Sequence, residues 1–201
     1  MFTRKRFVPP TTKDPDLKAF GKALSDYLIS LEAKGSLNIS QATIGVDQGM
    51  QFPATQVAST DPNNLDDYEE GTFTPTLAGS TTAGTQTYSY NVGLYTKVGR
   101  VVHFQVAILL TAKDGTTAGN LQINGLPFTS NATANAHASV TVGLAQLITL
   151  TAGYTDYVGV IAPNTTVVLL QQAGSAQVAA NLAAAAFGAT SAVYVSGSYM
   201  T

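Results

Sequence analysis

The sequence predicts a mainly β protein, an antiparallel β-sandwich or jelly-roll-like domain behind a basic arm and an N-terminal helix. Three observations predict it. Apolar residues recur at every second position after Gly71, Gly-, Asn-, Pro- and Thr-rich turns separate these runs, and charge is crowded ahead of them. Charged residues make up 11% of the chain, under half of the about 25% usual in a domain. Seven of the ten basic residues precede Gly35, and after Gly71 only Lys97, Arg100, Lys113, Asp114 and Asp156 remain. The predicted organisation is a basic arm plus helix over 1–35, a connector with an acidic stretch over 36–70, and a β domain over 71–201.

Residues 1–13 are basic and rich in Pro and Thr, with no hydrophobic period. Asp14, Pro15 and Asp16 then read as a helix start, with Pro at the first helical position and acids at the positive end of the dipole. Leu17, Phe20, Leu24, Tyr27 and Leu31 follow at spacings of three, four, three and four, which is an apolar seam on a helix over 16–34 stopped by Gly35. A lone helix of that length is marginal in water, so the seam needs a partner, either its own domain or another copy. Residues 36–65 are polar and turn-rich, a connector with at most one short strand.

The β domain is read from its alternation. Val102, Phe104, Val106, Ile108 and Leu110 point to one face, with His103 and Gln105 on the other. Leu121 and Ile123 alternate with Asn120, Gln122 and Asn124, and Val140, Val142, Leu144, Ile148 and Leu150 continue the theme. β-Branched and aromatic runs over 87–98, 155–161, 166–171 and 192–199 bring the count to roughly eight strands. One stretch resists: the Ala-rich residues 178–187 have helical propensity inside a β domain, and predict a short helix or an Ala-lined loop. The outward strand positions carry Thr, Ser, Asn, Gln and Ala where a monomeric domain places Lys and Glu. Those faces are either buried against identical subunits or exposed and neutral, and a homo-oligomer is the expectation.

Several chemistries are excluded or unsupported. No cysteine means no disulfide, no thiolate nucleophile and no Cys-ligated metal. His103 and His137 each stand alone, so no metal or other cofactor is expected. There is no G-x-S-x-G and no phosphate loop. The densest acidic cluster, Asp66, Asp67, Tyr68, Glu69 and Glu70, holds paired carboxylates of the kind glycoside hydrolysis uses. It is read as a solvated or interface-docking stretch on an irregular segment just ahead of the first strand, and no catalytic residue is assigned. Asn131 and Asn164 open glycosylation sequons, with no signal peptide ahead of them to make them matter. The charge-free span over 165–188 is interrupted by Gln171, Gln172, Gln177 and Asn181, so no membrane insertion is expected. The neutral distal surface is no nucleic-acid platform.

Several stretches resemble a known family. Leu-Asp-Asp-Tyr-Glu-Glu-Gly-Thr-Phe-Thr-Pro at 65–75, preceded by Phe-Pro-Ala-Thr-Gln at 52–56, is similar to a stretch found in bacteriophage and prophage tail-fibre and spike-like virion proteins. The resemblance continues through Gly-Leu-Tyr-Thr-Lys-Val-Gly-Arg-Val-Val at 93–102, Gly-Leu-Pro-Phe at 125–128 and Val-Ser-Gly-Ser-Tyr at 195–199. It implies a homotrimeric structural or adhesion module located in the virion, with no inherited catalytic residues. The chain has neither a long shaft nor a large β-helix, which favours a short tail fibre, tail appendage or adaptor over a long fibre. A head fibre or capsid decoration protein is the alternative, and a depolymerase using the acidic cluster the enzymatic rival. On this reading Arg4, Lys5, Arg6 and Phe7 anchor the chain to another virion protein, and Leu17, Phe20, Leu24, Tyr27 and Leu31 bundle the helices. The β domain then meets a host-surface glycan or protein, or seats a further fibre.

Overall fold

The computed structural model describes residues 65–201. The basic arm with Arg4, Lys5, Arg6 and Phe7, the expected helix with its seam Leu17, Phe20, Leu24, Tyr27 and Leu31, and the connector to residue 64 lie outside the described residues. The described chain is mainly β, as expected. Its strands are β1 (Tyr68–Phe73), β2 (Thr76–Gly79), β3 (Thr87–Val98), β4 (Val101–Ala112), β5 (Leu121–Asn124), β6 (Ala138–Ile148), β7 (Asp156–Ile161), β8 (Val167–Ala173), β9 (Ala180–Asn181) and β10 (Phe187–Met200).

The strands form one antiparallel sheet in the order β1-β3-β4-β10-β6-β7-β8-β5-β2, with β9 on β8. A single curled sheet, a half-barrel, therefore stands where strand spacing predicts a two-layer sandwich. The reason is that period two fixes which side of each strand is buried. It does not say whether the facing side belongs to a second sheet or to the same sheet rolled over.

The chain path explains the curl. β1 and β2 are the two ends of the strand order, yet only Thr74 and Pro75 separate them. Three Cα steps of about 3.8 Å cannot hold the ends of a flat sheet apart, so both ends meet at this corner. Pro75 has no N–H for a ladder, and its carbonyl accepts from Asn91 Nδ2 at 2.9 Å. Tyr88 of β3 completes the seam. Its hydroxyl accepts from the Leu77 N–H at 3.0 Å and donates to the Leu77 carbonyl at 3.4 Å, so a side chain takes the place of ladder bonds.

The interior follows the alternation. Val102, Phe104, Val106, Ile108 and Leu110 are all buried, and they meet Leu121, Ile123, Ile161, Val168 and Leu170 across the curl. One inward run departs from expectation. The pairing of β10 with β6 shifts between Tyr194↔Leu144 and Val195↔Val142, so Gly143 is an extra residue on β6. Such a bulge reverses the sides of the residues beyond it, and Leu144 lands on the outer side with Tyr194. The Ala-rich stretch resolves into the short β9, a 3-10 turn over Ala184–Ala186 and the start of β10, with Leu182 and Ala184 buried. Among the described residues there is no α-helix, and none long and apolar enough to cross a membrane.

Candidate functional site

Four of the stretches that carry the family resemblance, at 65–75, 93–102, 125–128 and 195–199, lie far apart in sequence and meet in one cluster, while 52–56 lies outside the described residues. Asp67, just ahead of β1, pairs with Lys97 near the end of β3, and the two side chains are only 7% and 6% exposed. The Asp67 carbonyl also accepts from the Gly99 N–H at 2.8 Å, which ties the β3–β4 turn to the same point. The Lys97 ammonium lies 5.3 Å from the centre of the Phe128 ring, and Phe128 packs edge-on to Tyr95 with centroids 5.3 Å apart. Phe73 continues the stack at 6.4 Å from Tyr95. Phe73 is paired with Gly93, where a Cβ would overlap its ring, so the glycine makes the room. Tyr199 closes the cluster from β10: its hydroxyl donates to the Phe128 carbonyl at 2.9 Å and accepts from the Phe128 N–H at 3.2 Å.

This geometry corrects the reading of the acidic stretch at two points and leaves Tyr68 and Glu70 exposed, as expected of a solvated run. Residues 68–70 are strand, and Asp67 is a buried ion-pair partner that neither solvent nor a docking protein reaches. Glu69 and Glu70 point to opposite sides of β1, with Glu70 accepting from the Tyr68 hydroxyl at 3.2 Å. Those two carboxylates therefore do not converge on one bond. A sequence scan misses the cluster because the Asp67 partner is 30 residues away.

Burial pushes the Tyr199 hydroxyl up to about 12, with the Phe128 backbone contact acting the other way. The unfolded chain gives up that proton near 10, so stability from this group is complete below about pH 10 and is lost as pH rises toward 12. Tyr199→Phe is expected to cost about 1–3 kcal/mol at pH 7 by leaving backbone groups of Phe128 unpaired. It should also flatten the alkaline loss, as read by urea midpoints from pH 8 to 11.

The outer side of the long strands is the candidate interaction face. Cross-strand register aligns Val92, Ala107, Tyr194 and Leu144 in one row, and Leu94, Gln105, Ser196 and Thr141 in the next. Farther along, Tyr68, Val98, Val101 and Met200 form another apolar row. Val92 and Leu94 are 48% and 50% exposed. They rim a trough whose floor is the small side chains of Ala107 and Ser196, and the Tyr194 ring bounds it on the other side. Its two hollows, about 330 and 460 Å³, share Leu94, Gln105 and Ser196. Tyr90 and Tyr194 share a hydrogen bond of 2.5 Å across the face. Glu70 and His103 are the carboxylate and imidazole at outward strand positions here, and they sit toward one end. His137 lies at the Val101 and Met200 end of this face, on a hollow of about 390 Å³ with Ser130, Asn131 and Met200. Among the described residues no three His, Asp or Glu side chains gather as a metal site.

No family model matches the chain, and no curated protein matches it. Among solved structures, the crystal structure of the Dettilon tailspike protein is similar, at 21% identity and a TM-score of 0.55. The likeness covers 66% of this chain and 24% of the tailspike, so the matched part is about a quarter of that longer protein. The chain shares its fold with one portion of a tailspike protein.

Proposed function

We propose that the chain is a structural part of a phage virion, a homotrimeric short tail appendage or adaptor. It attaches through its N-terminal arm and projects the β domain for host-surface binding or for seating a further fibre. The observation that carries this reading is the fold held in common with a portion of a tailspike. The charge-poor outer face and the motif cluster built for packing support it, since both spend residues on assembly. The reading assigns no catalytic role and no cofactor.

The attachment half is tested in the full chain. Replacing Arg4, Lys5 and Arg6 together with Ser should lower incorporation into particles by about tenfold or more, the change that about 1.4 kcal/mol of lost anchoring produces. The oligomeric state of the purified variant should not change. Quantitative mass spectrometry of purified particles measures the first, and light scattering the second. Normal incorporation would remove the anchor assignment. Labelled chains seen on the head by electron microscopy would replace the tail reading with the decoration alternative.

A further inference from the structure

We propose that the outer face of β3, β4 and β10, flanked by β1 and β6, is the surface through which identical copies of this chain pack together. This inference rests on the reading of the chain as a self-assembling appendage, and it names the surface that does the assembling.

The area is sufficient. β3, β4 and β10 run 12, 12 and 14 residues. With about 3.3 Å per residue and about 4.8 Å between strands, five strands present roughly 40 by 20 Å. That is roughly 800 Å², what one partner brings to a stable interface of standard size. The composition also fits. Interface centres lack charge and hold aromatic and aliphatic side chains. Here Leu94, Val92 and Tyr194 stand above a floor of Ala107 and Ser196, and no Lys, Arg or Asp occupies an outward strand position of the face. A strand exposing Val92 and Leu94 two residues apart is what a solitary domain avoids.

The same features choose the occupant. A nucleic acid or an acidic glycan requires cations that this face does not offer, and a basic partner requires more than the single carboxylate of Glu70. A second copy brings an equally neutral surface, so the two meet without like-charge contacts. Association through strand edges is disfavoured because the curl brings β1 and β2 together at one corner and Tyr88 covers the seam.

The chain has no cysteine, so one introduced thiol is an unambiguous reporter. In the full-length protein, Gln105→Cys should react with a maleimide about tenfold or more slowly than Ser175→Cys, which lies in the exposed turn after β8. Leu94→Lys, at a half-exposed position that does not fill the core, should shift the assembly to smaller species in light scattering with an unchanged circular dichroism spectrum. Adding Leu94→Lys to Gln105→Cys should restore labelling. A trimer in which the Gln105→Cys thiol labels as fast as the Ser175→Cys thiol would overturn the face and leave trimerisation standing. A dimer in which the Gln105→Cys thiol is protected would keep the face and overturn the trimer. A single-copy protein would overturn both, and protection in that case would show that residues 1–64 of the same chain cover the face.

Discussion

Asp67→Ala will destabilise the β domain by about 3–5 kcal/mol, because it strands the buried Lys97 ammonium without its carboxylate. Water reaches little of either side chain. The Phe128 ring, 5.3 Å away, offers Lys97 a quadrupole worth about 0.5–2 kcal/mol, too little to replace an anion. The loss should appear as a lower urea midpoint at pH 7 with an unchanged slope. The double variant Asp67→Leu with Lys97→Met is the informative partner. Apolar replacement of an entire buried pair is often near neutral, so the double should recover most of what the single loses. A double no better than the single would mean that the Gly99-to-Asp67 contact and the Phe128 packing depend on the charges themselves. Asp67→Ala within about 0.5 kcal/mol of the parent would show the pair to be solvated.

The ion pair also marks where sequence reasoning stops. β4 is legible in full, since all five alternate apolar residues from Val102 to Leu110 reach the interior and His103 and Gln105 face out. The neutral outer face is legible as composition, but its rows are not, because Val92, Ala107 and Tyr194 become neighbours only through register. The acidic stretch misleads for a related reason. A run of carboxylates is usually solvated, and only the fold reveals that Lys97 lies beside Asp67. Alternation puts Leu144 inward because it has no sign for a bulge until the partner strand is known. The single rolled sheet is hidden too. Its evidence is a two-residue link between the terminal strands and a tyrosine hydroxyl at the seam, neither of which leaves a periodic trace. The resembling stretches are visible in the sequence as separate patches, and the convergence of the described ones on Phe128 shows that these are tied together as packing.

The second large effect belongs to the Ala-rich segment. Phe187→Ala should cost about 3–5 kcal/mol, since the ring is 2% exposed and opens β10, the strand between β4 and β6. Lys113 explains why an aromatic sits there. Its ammonium lies 4.0 Å from the ring centre and donates to the carbonyls of Ala184 at 2.8 Å and Phe187 at 2.9 Å. The cation thereby caps the 3-10 turn and steers the chain into β10. Lys113→Met should cost less, about 1–3 kcal/mol, because its stem still packs and what it leaves without a donor are neutral carbonyls, not a charge. In the Phe187→Ala background the same change should cost less again, the excess being the ring–cation coupling. A pH series separates the two roles. Desolvation holds the Lys113 ammonium below its ordinary value of 10.5, so the unfolded chain binds that proton more tightly. Stability from this group therefore rises with pH in the window just below 10.5. Lys113→Met should abolish that rise, whereas Phe187→Ala should lower stability at every pH. Equal losses from both variants at pH 7, with no coupling in the double, would mean that the ring packs β10 without any help from the cation above it.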